Sequence, residues 1–253
     1  MRSIDSRDYQ RTSGPAAVMS KDFAHGAKLA LHSHRRNQLI WAEAGLMHVR
    51  AEGSVWIVPP HLALWVPAGC KHALRMTGQV RMRTLYVEPR ATGNNVPRSC
   101  KLVRISPFLQ QLILDAARRP VEYHPGDRVD HVLALILDEL GALEQQPLRL
   151  PMPNDQRLLR LCTVLIAHPA DSRTLEQWGY EVGASSRTLA RLFARQTGMR
   201  FTDWRNQARL ALAMMLLVDK ASVSEVARRS GYNSPSAFSA MMRRTLGRAP
   251  REL

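Results

Sequence analysis

The sequence predicts an α+β protein in two parts. The N-terminal part reads as a small β-barrel or jelly roll, and the C-terminal part as an all-α domain in which one helix-turn-helix pattern occurs twice. Three observations carry this. The first hundred residues are apolar stretches of strand length punctuated by Gly and Pro. Helical periodicity replaces them from Pro107 onward. Within the last hundred residues a spacing recurs at an offset of 48, widening to 49 after its turn glycine.

Taken in order, strands are expected at Lys28–His34, Gln38–Ala42, Leu46–Ala51, Val55–Val58, Leu62–Val66 and Arg81–Val87. Trp41, Trp56 and Trp65 fall on these segments, either lining a cavity or filling the core. Arg35 and Arg36 read as a solvated strand end or as a lure for an anionic ligand. Helices are expected at Pro107–Arg119 and Arg128–Leu143. The second carries Val132, Leu133, Ile136, Leu137 and Leu140 on a stripe broad enough to pack on the β region and to meet a partner. Pro147, Pro151 and Pro153 then form a short, stiff linker.

The repeat follows. In its first copy Leu175, Trp178 and Gly179 lead to Gly183, then Ser185, Leu189, Phe193 and Gly198. In the second, Val223, Val226 and Ala227 lead to Gly231, then Ser234, Phe238, Met242 and Gly247. Each glycine supplies the positive φ that ends a helix, and each serine an N-cap for the next. With Leu189, Leu192 and Phe193 inward at i, i+3, i+4, the residues Arg187, Thr188, Arg191 and Arg195 point outward. The matching outward set in the second copy is Ser236, Ala237, Ala240, Arg243 and Arg244. Between the copies Phe201–Lys220 reads as one helix with Trp204, Ala208, Ala211, Met215 and Val218 on an apolar stripe. Twenty residues span roughly 30 Å, about one turn of B-DNA. Two recognition helices so spaced suit successive major grooves of double-stranded DNA.

Charge agrees without deciding. The net charge is +15, with 36 basic and 21 acidic residues. Division at residue 154 gives 16 − 8 = +8 for the C-terminal part and 20 − 13 = +7 for the rest, so the excess is not confined to the reader. Cys70, Cys100 and Cys162 are widely spaced and include no Cys-x-x-Cys, which indicates neither a disulfide frame nor a zinc finger. The longest apolar run, Leu210–Val218, is too short to span a bilayer, and no signal-like segment opens the chain. A cytoplasmic protein with no membrane partner is expected. No Ser-His-Asp order, P-loop or dinucleotide glycine motif is present, and no catalytic residue is expected.

Residues 154 to 253 resemble the DNA-binding domain of the AraC/XylS family of transcription regulators. The resemblance rests on Arg187-Thr188-Leu189-Ala190-Arg191-Leu192-Phe193, on Gly231-Tyr232-Asn233-Ser234-Pro235-Ser236-Ala237-Phe238, and on Arg243-Arg244 and Gly247 to Pro250. Met242 stands where that family usually has Phe. A second resemblance lies upstream. Gly26, His32-Ser33-His34, Gln38 and Gly45, followed by Pro67-Ala68-Gly69-Cys70-Lys71-His72, are similar to the two motifs of the cupin fold. Metal-binding cupins supply three His and one Glu there. Here Gln38 replaces the carboxylate and Met76 the usual Asn. On a strand His32 and His34 share a face, and His72 would come from a neighbouring strand.

The two resemblances imply a cupin-like sensor at 15–100, a helical connector and dimerisation region at 101–150, and the AraC-type reader at 154–253. His32, His34, Gln38 and His72 then form either a site for a divalent transition metal, a metal-free pocket that hydrogen-bonds an effector, or a structural cluster. The expected function is a non-enzymatic, sequence-specific transcription regulator that responds to a small molecule or metal. Its implied partners are DNA, the effector, RNA polymerase and a second copy of the chain. The alternatives are a cupin metalloenzyme, a dioxygenase or isomerase with an accessory DNA-binding domain, and an architectural DNA protein with no sensor.

Overall fold

The computed structural model describes residues 5–92, 96–146, 149–218, 221–246 and 249–250. Gly247, Pro147 and the side chains of Met215 and Val218, all used in the sequence argument, lie outside the described set. The chain divides into two compact units, residues 1–52 with 56–146 and residues 53–55 with 147–253.

In the first unit, helix α1 (Ser6–Gln10) precedes the strands β1 (Ala16–Phe23), β2 (Lys28–His32), β3 (Asn37–Ala42), β4 (Leu46–Ala51), β5 (Ser54–Val58), β6 (Leu62–Val66), β7 (His72–Thr77), β8 (Val80–Val87) and β9 (Lys101–Arg104). Helices α2 (Pro107–Ala116) and α3 (Arg128–Gly141) follow, then the two-residue strand β10 (Gln145–Gln146); the two-residue β11 (Leu150–Pro151) already belongs to the second unit.

The expected N-terminal β-barrel of the cupin or jelly-roll type does not form. The strands make two separate open sheets, of order β1-β8-β3-β6-β9-β10 and β11-β5-β4-β7-β2. Closure would need edge strands that pair across the gap. Two of the four edges, β10 and β11, are only two residues long, too short to carry a ladder onward. A third, β2, already shifts register between Leu29 and His32. The overall α+β class and the all-α C-terminal part with its two helix-turn-helix motifs stand.

Period-two alternation in the first sheet decides what goes where. On β3 and β8 the odd-numbered Leu39, Trp41, Leu85 and Val87 face one way. They are buried against Leu109, Ile113, Val132, Ile136 and Leu140 of α2 and α3. The even-numbered Gln38, Met82, Thr84 and Tyr86 therefore face the opposite side. Trp41 and Trp65 belong to the core, their indole N–H groups donating to the carbonyls of Pro60 and Pro97. Ser106 caps α2 and also donates to Glu139 of α3 at 2.8 Å, tying the two helices together.

Strands β1 and β9 were not anticipated, β7 was expected only as a strand of unstated bounds carrying His72, and the expected strand through His34 stops at His32. Arg36 also departs from the expected solvated end. It is 2% exposed, donating to the carbonyls of Thr12 and Gly14 and pairing with Glu88 at 3.3 Å.

The second unit is helical: α4 (Gln156–Ala167), α5 (Leu175–Val182), α6 (Ser186–Thr197), α7 (Phe201–Val218), α8 (Val223–Arg229) and α9 (Pro235–Leu246). The apolar stripe of α7 buries Trp204, Ala208 and Ala211. Phe193 packs edge-on against Phe201 and Trp204, at 5.7 and 5.9 Å between ring centroids. Arg209 of α7 is buried. It donates to the carbonyls of Pro169 and Asp171, with its guanidinium 5.4 Å from the Tyr232 ring. The connecting helix thereby ties the approach to the first motif to the turn of the second. Among the described residues no helix is long and apolar enough to cross a membrane.

Candidate functional site

Both helix-turn-helix motifs are built by local chemistry the sequence spells out. α5 opens on a reciprocal capping box between Thr174 and Gln177 and closes on Gly183, at φ +66. The backbone then returns closely, with Ala184 N–H donating to the Gly179 carbonyl at 3.0 Å. A Cβ at position 179 would collide with the Ala184 carbonyl oxygen, so only glycine lets the turn approach the helix. Ser185 caps α6, accepting from Thr188 N–H at 3.2 Å. In the second motif Gly231 has φ +77, and Ser234 Oγ accepts from Ala237 N–H at 3.1 Å at the start of α9.

With these caps set, the inward faces are buried: Leu189 and Phe193 on α6, Phe238, Met241 and Met242 on α9. Met242 fills the core position noted in the sequence, at 0% exposure. Arg187, Arg191 and Arg195 are exposed on α6, and Ser236, Ala240, Arg243 and Arg244 on α9. Thr188 is half-buried, with its hydroxyl 2.9 Å from that of Ser185. Three other arginines of this unit are ion-paired, Arg157 with Asp155, Arg173 with Asp171 and Glu181, and Arg229 with Glu225. Among the described residues, the five arginines of the α6 and α9 faces make no ion pair. They present uncompensated positive charge to an incoming polyanion.

A second constellation lies in the first unit. His32 on β2 pairs with His72 on β7 in strand register, and His34 follows in the loop that leads to β3. The three rings are 4.4 to 5.4 Å apart between centroids. One nitrogen from each lies within 4.8 Å of the others. The tautomers follow from the partners. His32 Nδ1 sits 2.6 Å from the Ala30 carbonyl and His72 Nδ1 3.0 Å from the Cys70 carbonyl. A carbonyl only accepts, so both protons are on Nδ1 and both Nε2 lone pairs are free to ligate. His72 Nε2 and His34 Nε2 are buried without a hydrogen-bond partner. Burial, reinforced by His32 and His72, pushes His34 down to about 4 and keeps it in the neutral, ligating form. Burial likewise lowers His72.

Gln38, on the even face of β3, donates to Thr84 Oγ1 at 2.9 Å and Tyr86 Oη at 3.3 Å. Its Oε1 is buried and unpartnered. His34 packs edge-on against Tyr86 at 5.0 Å. Gln38, His32 and His34 border a cavity of about 870 Å³, together with apolar Met19, Phe23, Leu29, Leu74 and Met82 and basic Arg7, Arg11, Lys21 and Arg35. His72 is not in its wall. The three histidines could hold a divalent transition metal, three neutral imidazoles being a fitting donor set. Sequence reasoning missed Lys21, Tyr86 and Arg11 as cavity residues. The first two arrive through the pairing of β1 and β8, and no local motif marks that pairing.

Comparison with known proteins bears on the helix-turn-helix unit. Residues 178–253 match the model of a helix-turn-helix domain family. The HTH-type transcriptional regulator NimR of Escherichia coli (strain K12) is 33% identical over 220 residues, covering 87% of this chain and 80% of that protein. RipA, an HTH-type transcriptional regulator of Corynebacterium glutamicum, is 35% identical over 100 residues, 40% of this chain and 30% of that one. The arabinose operon regulatory protein of Escherichia coli (strain K12) is 28% identical over 142 residues, 55% of this chain and 48% of that one. These relatives are regulators, and the NimR match spans most of both chains. The chain belongs to the AraC/XylS family of helix-turn-helix transcription regulators.

Proposed function

We propose that this regulator reads its operator with α6 and holds it chiefly through phosphates with α9, and that a ligand bound in the N-terminal unit controls the outcome. The carrying observation is the exposed, unpaired arginine face of α6, with Arg187 and Arg191 in its first half. Arginine there suits bidentate bonding to guanine O6 and N7. At the matching places α9 offers Ser236 and Ala240, side chains too short to reach far, with Arg243 and Arg244 in its last turn. Thr188 and Arg195 flank the α6 contact. The eighteen residues of α7 span about 27 Å, near the separation of successive major grooves on one side of a duplex.

Two properties of the cavity support an effector role. Its size suits a small organic molecule, and its apolar wall with Arg11, Lys21 and Arg35 on a rim where Asp5 pairs with Arg7 favours an anionic one. His32, His34 and His72 would hold a divalent metal, with Gln38 offering a further oxygen, and the metal would supply an electrophilic anchor for the effector. A second copy of the chain is the expected partner of α3, on which Leu135 remains 47% exposed. RNA polymerase is the partner where the regulator activates.

An electrophoretic shift of the full chain on the DNA upstream of its own and adjacent genes tests the reading. Binding tighter than to scrambled DNA, steeply weakened by salt, is the expected result. Equal binding to scrambled DNA at moderate salt overturns it.

A further inference from the structure

Beside the histidines, and outside the cavity wall, three other donor side chains converge. Glu52 sits in the β4–β5 turn, Cys70 in the loop before β7, and Cys100 just ahead of β9. The two sulfurs are 3.6 Å apart, and the Cys100 backbone N–H donates to Glu52 Oε2 at 3.1 Å. One donor atom from each of the three lies within 4.8 Å of the others.

Two features of this cluster go beyond packing. The first is backbone conformation. Glu52 stands at φ +48 and Gly53 at φ +65. Such a two-residue turn is met at least cost by Asn-Gly or Gly-Gly. A glutamate there accepts strain of order 1 kcal/mol or more. What it adds over those residues is a carboxylate that reaches Cys100. The second feature is the sulfur separation. Two thiolates on a tetrahedral zinc, each at about 2.3 Å, stand roughly 3.8 Å apart. A disulfide requires about 2.05 Å. The observed spacing fits the former with little adjustment, and the latter only after the sulfurs close by about 1.5 Å. Chemistry agrees with geometry, because a thiophilic cation displaces the thiol protons and draws both sulfurs and the carboxylate onto one charge.

We propose that Glu52, Cys70 and Cys100 form a binding site for a thiophilic divalent cation of the zinc class, distinct from the three-histidine cluster. The site supplies two thiolates and one carboxylate, and solvent completes a tetrahedron. Binding releases the two thiol protons and involves no change of oxidation state. Because the Cys70 carbonyl receives the His72 Nδ1 proton, the cation also steadies the segment that presents His72.

Reduced, metal-stripped full-length protein titrated with cadmium, a spectroscopic stand-in for zinc, gives the test. A cadmium–thiolate charge-transfer band should saturate at one thiolate-bound ion per chain. It should persist in a His32→Ala, His72→Ala double variant and vanish in Cys70→Ser and in Cys100→Ser. Glu52→Gln should raise the cadmium needed at least about tenfold. Excess zinc should also shield two thiols of the unaltered chain from a thiol reagent, a readout that needs no variant to fold. The proposal fails if no band forms, if the band follows the histidines and not the cysteines, or if zinc leaves both thiols as reactive as before. It fails equally if the pair closes to a disulfide in air while the reduced protein binds no cadmium.

Discussion

Replacing Gly179 by Ala should cripple the first reader through sterics alone. A Cβ at this position meets the Ala184 carbonyl oxygen about an ångström inside ordinary contact, and the obstacle is backbone that cannot rotate aside. Overpacking of this kind costs about 1–3 kcal/mol. Displacing the turn also strains the Ala184 N–H bond to the Gly179 carbonyl, worth about 1 kcal/mol. The better helix propensity of Ala returns about 1 kcal/mol. The net expectation is a loss of about 1–3 kcal/mol, with α6 tilted away from α5. Urea unfolding of the full chain, read by intrinsic fluorescence from Trp178 and its neighbours, gives the stability. Operator and scrambled duplexes give the binding. Operator affinity should fall more than scrambled affinity, because a tilted α6 loses base edges before it loses phosphates. Gly183→Ala is the control. Nothing lies within 4 Å of a Cβ there, so only its positive φ is taxed, at about 1–2 kcal/mol. A Gly179→Ala protein as stable as the parent, with undiminished operator preference, would refute the packing argument.

Three further outcomes are expected. Arg191→Ala should cost about 1–3 kcal/mol on the operator and relax preference at one or two base pairs. Arg244→Ala should weaken operator and scrambled DNA alike and flatten the salt slope, and equal losses on both sequences for Arg191→Ala would count against the division of labour. Metal analysis of untagged protein should find about one equivalent of transition metal fewer in the His32→Ala, His72→Ala variant, the Glu52, Cys70 and Cys100 cluster keeping its own, whereas metal content unchanged by the substitutions would leave a metal-free effector pocket. Burial, with Arg75 near one ring and Arg104 near the other, pushes His48 and His61 down to about 4. The unfolded chain therefore takes up protons first, so their stabilising contribution is whole above pH 6.5 and declines as the pH falls toward 4. Melting temperature should drop across that window and drop less in His61→Gln, and a flat profile from pH 7 to 4 would contradict the assignment.

How much of this was legible in the sequence varied with the range of the interaction involved. The reader unit was legible because its determinants are local. Gly183, Ser185, Gly231 and Ser234 act on backbone within a few residues of themselves, and helical periodicity sorts inward Phe193 and Phe238 from outward Arg191 and Arg244. The close approach at Gly179 also shows as a glycine in mid-helix. In the β unit the same local signals located β3 to β6 and β8 well, yet misjudged what the strands build. Whether sheets close depends on edge pairing between strands far apart in the chain, and the two-residue β10 and β11 carry no sequence pattern of their own. His32, His34 and His72 were nominated by spacing, but only the β2–β7 register sets their rings together. Arg36 looked like a surface cation until the carbonyls of Thr12 and Gly14 folded over it. The convergence of Glu52, Cys70 and Cys100 had no sequence signal at all, because the three belong to segments 18 to 48 residues apart that only tertiary packing brings within reach. Sequence alone thus determined the identity of the reader, since each helix and cap depends on its neighbours in the chain. The tertiary structure decided the shape of the N-terminal unit and the composition of its candidate sites, since those depend on which strand lies beside which.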